Sequence, residues 1–240
     1  MEPERRAVLE LIRSEGDKIR ALRGMYELTL RRGIERQKFR QIIVFHRPDR
    51  FRSELLATNF NQPTNIVVTQ GSFLQGIDFQ EKRFLEGSPS LKNVKQLLSV
   101  PFFPEELMLW LSGTFGVVPG ADFIGQNLFL ERGSERFLIE FLYRDNRAVQ
   151  LRGSVRLKDR FVRCDALEIL DQKSRNRVFT SEFAYEGELK IPSTITFWLQ
   201  ESELQGELSV SEVKPNPGEI PERLFSLVQP NGFRSIELGD

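Results

Sequence analysis

The sequence predicts a mainly β protein in which one long antiparallel sheet of about ten or eleven strands curls and helices fill its concave side. Apolar and polar residues alternate with a period of two through most of the 240 residues, as in strands that bury one face. The period becomes helical at residues 3–14 and again within residues 90–112. The chain also holds 20 Phe against 3 Tyr and 2 Trp, so many rigid apolar rings must pack together or line a cavity.

The first quarter of the chain predicts a helix followed by a meander of strands. Residues 3–14 carry apolar side chains at mainly helical spacing, and Pro3 suits a first helical turn. Three segments with a period of two come next, separated by Gly33 and by the Arg47-Pro48-Asp49 turn: residues 22–30, 39–45 and 51–57.

Helices then interrupt the strands. Residues 66–69 and 73–79 predict two short strands on either side of a Gly71-Ser72 turn. Ser90 is suited to cap one helix, and Pro104 is suited to open a second helix that ends near residue 111. Alternation returns after the breaker region at 113–120, in residues 137–143, 149–157, 161–170, 178–185, 191–200 and 204–213.

Composition and charge limit the number of domains and the kinds of partner that we expect. No internal repeat and no linker divides the chain, so we expect a single domain over residues 1–240. Lys plus Arg and Asp plus Glu both number 34, so no overall charge favours nucleic acid, and we expect no nucleic-acid partner. The first six residues hold no apolar stretch of the kind that a secretion signal needs.

Motifs for catalysis, metals and cofactors are missing, so we expect neither an enzyme nor a bound metal or cofactor. One His, His46, cannot build a multi-histidine metal site, and one Cys, Cys164, is more typical of a buried apolar position than of a nucleophile. The pair Glu105-Glu106 suits the first turn of a helix, where acids complement the helix dipole. The polar residues on apolar strand phases that could serve catalysis are few: Gln41, Ser53 and Thr196.

Basic residues crowd the predicted hairpin between residues 31 and 52. This segment has eight Lys or Arg against two acids, Glu35 and Asp49. The pattern is most typical of a solvated strand face. It would also suit anionic lipid headgroups or an acidic partner, because each cation near a membrane surface contributes about 1 kcal/mol.

Several short motifs, in order, resemble the bacterial lipoprotein carriers and receptors LolA and LolB. Residues 42–52 (IIVFHRPDRFR) match an apolar strand that ends in Arg-Pro before an aromatic or apolar strand. Residues 65–72 (NIVVTQGS) match the next strand and its glycine turn, although Thr69-Gln70 departs from the family pattern. Residues 104–113 (PEELMLWLSG) are similar to the receptor's Leu-x-x-Trp-Leu-x-Gly helix. Two late motifs, IPSTIT at 191–196 and PNGF at 230–233, also fit.

This resemblance implies an open, strongly curved antiparallel half-barrel with lid helices over its concave face, enclosing an apolar cavity for lipid or lipoprotein acyl chains. Such a cavity holds lipid without polar specificity, because each buried methylene contributes about 0.8 kcal/mol. Ordinary core packing explains the same side chains equally well. The expected acyl-chain contacts are Tyr26, Leu28, Phe39, Ile43, Phe45, Phe51, Leu55, Leu107, Trp110, Phe137, Ile139, Phe141, Ile195 and Phe197.

The resemblance also implies roles for two exposed positions and a location. Arg47 falls on a family Arg that hydrogen-bonds the strand edge to the lid helices, and an exposed turn Arg is the alternative. Phe60 is placed in a loop that inserts into membranes in the receptors, and a tucked-in aromatic is the alternative.

The implied location is the periplasm, or the periplasmic face of the outer membrane, as a lipid-anchored protein whose signal segment is absent from this sequence. We expect a monomer that transports lipid or lipoproteins, or that inserts them into the outer membrane. The other open function is an envelope structural or assembly factor that binds a protein through a basic convex face, without lipid.

Overall fold

The computed structural model describes residues 2–57, 62–114, 123–131, 134–186 and 191–239. The helices are α1 (Glu2–Gly16), α2 (Leu91–Leu98) and α3 (Pro104–Leu111), with a 3₁₀ turn at Glu222–Phe225. The strands are β1 (Ala21–Arg32), β2 (Glu35–His46), β3 (Arg50–Ala57), β4 (Pro63–Gln70), β5 (Phe73–Asp78), β6 (Arg83–Gly87), β7 (Phe123–Leu130), β8 (Arg136–Tyr143), β9 (Arg147–Arg156), β10 (Phe161–Asp171), β11 (Arg177–Ala184), β12 (Thr194–Leu199), β13 (Leu204–Pro215) and β14 (Arg234–Glu237). None of the described helices is long and apolar enough to span a membrane.

All the described strands belong to one sheet, which does not close on itself. Its order is β14-β6-β5-β4-β3-β2-β1-β13-β12-β11-β10-β9-β8-β7, so β14 and β7 form its two edges. From β2 to β6, and again from β7 to β12, each strand pairs antiparallel with the next strand along the chain. The prediction of a mainly β fold on one open sheet is confirmed.

The described residues form fourteen strands, more than the ten or eleven expected from the sequence. The strands that the alternation did not indicate are β6, β7 and β14. In β6 the adjacent residues Phe84 and Leu85 are both buried, so alternation is lost. In β7 the buried Leu128 is followed by the exposed Phe129. Because both residues are apolar, the sequence does not show which face of the strand is buried. The last strand, β14, has four residues and pairs parallel with β6.

The described strands and helices group into two compact units. Unit 1 comprises Met1–Ile19, Arg31–Glu35 and Leu109–Glu207. Unit 2 comprises Arg20–Leu30, Arg36–Met108 and Leu208–Asp240. Four elements, β1, β2, α3 and β13, contribute residues to both units.

In unit 1, strands β8 to β12 bury one face and α1 packs against β10. The β8 strand alternates buried with half-buried residues after Arg136, which is the pattern that its sequence predicts. The apolar side of α1 is buried through Val8, Leu11 and Ile12. The core of this unit therefore forms between the helix and one face of the sheet.

In unit 2, the helix α2 closes an aliphatic cluster against β4, β5 and β6. Ser90 caps the helix by accepting a hydrogen bond from the backbone N–H of Asn93, as its position in the sequence predicts. Five buried residues form the cluster, which we call the α2 cluster: Val67, Leu74, Leu85, Val94 and Leu238.

The C-terminal segment of unit 2 packs on the other side of β3 and β4. Arg52 donates from Nη1 to the carbonyl oxygen of Leu224 at 2.8 Å, and the N–H of Leu227 donates to Gln75 Oε1 at 2.8 Å. Phe225 is buried at this place. Because both faces of β4 are covered, four consecutive residues, 66–69, are buried and do not alternate.

Candidate functional site

The side chains that the resemblance assigned to acyl-chain contact are distributed over both units. Eight lie in unit 2 and six in unit 1, and most are buried. The half-buried ones are Phe39, Leu55 and Phe197. Twelve of them lie on strands, and Leu107 and Trp110 lie on α3. Their contact with acyl chains stays a prediction.

In unit 2, strand register aligns the predicted residues of β2 and β3 in rows. Phe45 lies opposite Phe51, and Ile43 lies opposite Ser53. Ser53 continues this row to Val67 in β4, which belongs to the α2 cluster. One continuous apolar face therefore runs from β2 to the strands beneath α2.

The polar residues on this face are paired with each other. Gln41 donates from Nε2 to Ser53 Oγ at 2.9 Å, and Ser53 is buried. Thr196, the third polar candidate, has an exposed side chain, next to the buried Ile195 in β12. Thr196 therefore does not occupy the apolar phase that the sequence suggested.

Tyr26 of β1 is the most unusual predicted contact. Its side chain is 1% exposed, and its hydroxyl has no hydrogen-bond partner among the described residues. Desolvation raises the pKa of Tyr26 well above its usual value. The ring lies over Gly24, where an added Cβ would come within 2.6 Å of Tyr26 Cε2. Gly24 thus makes room for a buried phenol whose hydroxyl is unsatisfied.

In unit 1, three aromatic rings contact one another, and we call them the ring cluster: Trp110 of α3, Phe179 and Phe197. The Trp110 ring meets Phe179 and Phe197 edge-on at 6.0 and 5.8 Å between centroids. The two phenyl rings stack at 6.1 Å. Trp110 Nε1 donates to Ser181 Oγ at 3.1 Å, and Ser181 Oγ donates to the carbonyl oxygen of Thr196 at 2.9 Å. The indole is thus fixed by rings and by a hydrogen bond.

An open cleft of about 560 Å³ lies in unit 1. Its walls include Phe129, Leu130, Phe137 and Leu138 from β7 and β8, and residues of β9, β10 and β11 complete it. Phe129 is 53% exposed, so part of the apolar wall is open to water. The volume falls within the range of small-molecule sites, roughly 300 to 1,000 Å³.

Both charge signs occur at the cleft. Arg136, Arg152, Glu131, Asp165 and Glu182 line it beside the apolar residues. Arg152 pairs with Glu168, whereas Ser154 donates to Asp165. Arg136 is exposed and its side chain makes no ion pair within the described part of the chain.

The sequence identified one wall residue of this cleft, Phe137, and missed the rest. Phe129 and Leu130 lie in β7, the edge strand that the alternation did not indicate. A strand-like run of Phe, Ile and Leu at 123–130 was the available signal. Its partner strand is needed to show that the run borders a cleft.

The structure describes one of the two special positions implied by the resemblance, and their roles stay predictions. Arg47 is half-buried, and its backbone N–H donates to the carbonyl oxygen of Arg20 at 2.8 Å. Nearby, burial raises the pKa of Glu105 in α3, and the charges of Glu106 and Asp49 raise it further. The first turn of α3 therefore lies near the β2–β3 turn. Phe60 lies outside the described residues, so its loop role stays a prediction.

Residues considered for catalysis occupy structural positions. Cys164 is buried, its Sγ lies 3.4 and 3.2 Å from the carbonyl oxygens of Arg152 and Ala166, and burial raises its pKa. Glu106 accepts a hydrogen bond from the N–H of Phe103 at 3.0 Å. Within the described ranges, no group of three His, Cys, Asp or Glu side chains is arranged to hold a metal ion.

The fold is shared with structures of known family. The chain is similar to a LolA superfamily protein from Nitrosomonas europaea, with 15% identity, a TM-score of 0.62, and coverage of 91% of this chain and 97% of that one. A putative outer membrane lipoprotein-sorting protein domain from Vibrio parahaemolyticus gives 16% identity and a TM-score of 0.63, over 90% and 95% of the two chains.

A DUF1329 family protein from Desulfovibrio piger gives 12% identity and a TM-score of 0.65, over 92% and 96% of the two chains. The sequence matches no protein-family model and no curated protein. The chain therefore has the fold of the LolA superfamily and of lipoprotein-sorting domains, and the resemblance seen in the sequence motifs is confirmed at the level of the fold.

Proposed function

We propose that this protein is a non-enzymatic carrier or acceptor that binds the acyl chains of lipids or lipoproteins. The fold supports this class, since one structure with the same fold is described as a putative outer membrane lipoprotein-sorting protein domain. The observation that carries the proposal for this chain is the open cleft of about 560 Å³ with walls of Phe and Leu.

The physical basis is the transfer of hydrocarbon from water to an apolar wall. Each methylene that leaves water contributes about 0.8 kcal/mol, so an acyl chain needs no polar recognition to bind. The exposed Phe129 offers apolar surface that no described part of the chain covers, and Arg136 offers a cation for an anionic headgroup at the same cleft. The predicted contacts that are buried elsewhere are proposed to become accessible to lipid when it binds, and Tyr26 offers an unpaired hydroxyl.

We further propose the periplasm or the periplasmic face of the outer membrane as the location, with lipoprotein transport or insertion as the role. In this proposal Arg47 links the β2–β3 turn to α3, and Phe60 contacts the membrane. We also propose that residues 1–240 unfold as one domain, because β1, β2, α3 and β13 have residues in both units. A single unfolding transition, coincident by fluorescence and circular dichroism, is the expected result.

Displacement of a fluorescent fatty acid tests the lipid proposal. We expect the purified protein to bind the probe and Phe129→Glu to weaken binding by more than about tenfold, because a charge in the apolar wall opposes burial of hydrocarbon. The matched control is Phe73→Glu: Phe73 is 71% exposed and does not line the cleft. Both variants replace an exposed ring, so neither should unfold the protein.

The result that overturns the proposal is equally plain. If the wild-type protein neither takes up the probe nor retains extractable lipid, acyl chains are not its ligand. If Phe129→Glu and Phe73→Glu weaken probe binding equally, the cleft is not the binding site.

A further inference from the structure

The turn between β1 and β2 presents an apolar side chain that nothing in the described structure covers. β1 ends at Arg32 and β2 begins at Glu35, so Gly33 and Ile34 form the turn. Gly33 has a φ of +57°, a conformation that glycine adopts without strain. Ile34 is fully exposed. A β-branched aliphatic residue at the tip of a hairpin has no role in packing.

Both faces of the hairpin are exposed at its end. The first four residues of β2, 35–38, are all exposed, and so are the last two of β1, Arg31 and Arg32. Residues of a strand point alternately to opposite faces, so exposure on both parities means that both faces are free. The hairpin end is therefore not packed against the rest of the described chain.

Cations surround the exposed Ile34. Residues 31–40 contain five Lys or Arg and one acid, Glu35, which leaves four positive charges in excess. Arg31, Arg32 and Arg36 are exposed, and they form no ion pair with any residue that the structure describes. Unlike Arg152 of β9 and Arg163 of β10, which pair with Glu168 and Asp165, these three offer their full charge to a partner.

Single exposed apolar residues are common on protein surfaces and need no explanation by themselves. Here the apolar residue occupies a projecting tip, and the unpaired cations lie within three residues of it along the chain. An apolar tip ringed by Arg matches the two layers of a bilayer interface, in which hydrocarbon lies beneath a plane of phosphates. An acidic protein would pair with the cations but would leave Ile34 without a matching partner.

We propose that the β1–β2 turn docks on bilayers that contain anionic phospholipid. Ile34 enters the boundary between headgroups and acyl chains, and Arg31, Arg32 and Arg36 bind headgroup phosphates. This surface shares no residue with the cleft, and it would act whether or not the cleft holds lipid.

Flotation with vesicles of equimolar phosphatidylglycerol and phosphatidylcholine tests the docking surface. We expect binding to these vesicles, little binding to pure phosphatidylcholine, and release as the salt concentration rises. Both Ile34→Asp and the double variant Arg31→Glu/Arg32→Glu should lower the partition coefficient by more than about tenfold.

Matched controls separate docking from general charge and apolarity. Val228 is 88% exposed and lies outside the hairpin, so Val228→Asp controls for Ile34→Asp. Lys214→Glu/Arg223→Glu changes two exposed cations elsewhere and controls for the charge reversal. Both controls should bind vesicles like the wild type, and circular dichroism should show all variants folded.

Three results would overturn the proposal. They are wild-type protein that does not float with anionic vesicles, hairpin variants that float as well as the wild type, and controls that lose binding as much as the hairpin variants do. Salt-sensitive binding of an acidic protein without vesicle binding would assign the hairpin to a protein partner instead. Because probe binding in the cleft is measured without vesicles, failure here is distinguishable from failure of the proposed lipid function.

Discussion

Two helices dock on the sheet by different means. In the ring cluster of unit 1, Trp110 of α3 lies edge-on against two phenyl rings, and its indole N–H donates to Ser181. The α2 cluster of unit 2 holds Val94 among aliphatic side chains. Beside Val94, the buried Asn93 donates to the carbonyl oxygen of Ser88, but its own Oδ1 has no partner in the described structure.

The two helices differ less in the apolar area that they bury than in how strictly their position on the sheet is fixed. A buried polar atom with a partner restricts a helix to one position, whereas a buried polar atom without one costs about 1 to 3 kcal/mol. Unit 2 also contains the unpaired hydroxyl of Tyr26, while the hydroxyl of Tyr185 in unit 1 donates to the carbonyl oxygen of Cys164 at 2.8 Å. We infer that the Trp110 end of α3 is held more rigidly than α2.

The largest expected effect comes from removing the helix anchors. Trp110→Ala should lower the free energy of unfolding by about 3 to 5 kcal/mol, because it deletes a buried indole and its ring contacts. Val94→Ala should lower it by about 2 kcal/mol, since it removes two buried methyl groups. Urea denaturation of both variants measures the difference. Equal losses would show that the two helices are held alike.

The second-largest expected loss of stability comes from a substitution that crowds the ring cluster. An added Cβ at Gly206 would lie 2.0 Å from Phe197 Cζ, so Gly206→Ala must displace a ring that stacks on Phe179. The expected loss is about 1 to 3 kcal/mol. Gly218 has no atom within 4 Å of such a Cβ, so Gly218→Ala should change stability by less than about 0.5 kcal/mol. A harmless Gly206→Ala would mean that the ring cluster is loosely packed.

Two tyrosine substitutions test the difference between a paired and an unpaired buried hydroxyl, because they should change the free energy of unfolding in opposite directions. Tyr26→Phe should raise the free energy of unfolding by about 1 kcal/mol, because it removes a buried hydroxyl that has no partner. Tyr185→Phe should lower it by about 1 kcal/mol, because it deletes a hydrogen bond. Thermal and urea unfolding of both variants provide the measurement. Destabilisation by Tyr26→Phe would show that this hydroxyl has a partner after all.

The smallest expected effect depends on pH and concerns the first turns of the two helices. The first turn of α2 has no acid, whereas that of α3 has Glu105 with a pKa raised by burial. A raised carboxyl pKa means that the folded state binds more protons, so stability falls as pH rises above the ordinary carboxyl pKa.

The variant Glu105→Gln removes this charge. It should therefore be slightly more stable than the wild type at pH 7, by less than about 0.5 kcal/mol for a partly exposed position. The advantage should vanish at about pH 4 and below, where the carboxyl is protonated in both states. Melting curves across this pH range are the measurement, and a difference that does not change with pH would contradict the assignment to Glu105.

Local sequence was sufficient where burial follows a regular pattern. The alternation through Phe137, Ile139 and Phe141 correctly predicted a strand with one buried face, and Ser90 correctly predicted the start of α2. The order of short motifs also predicted the fold that the comparisons show. These features are encoded locally, because side-chain direction in a strand and capping of a helix depend on residues a few positions apart.

Tertiary structure decided what depends on distant partners. Pairing of β1 with β13, the parallel contact of β14 with β6, and the cleft beside β7 have no local signal. Nor does the sequence show that Trp110 finds Ser181 while Tyr26 finds no partner. A hydrogen bond or a cavity exists only when segments far apart along the chain meet, whereas the period of two requires only that each strand bury one side.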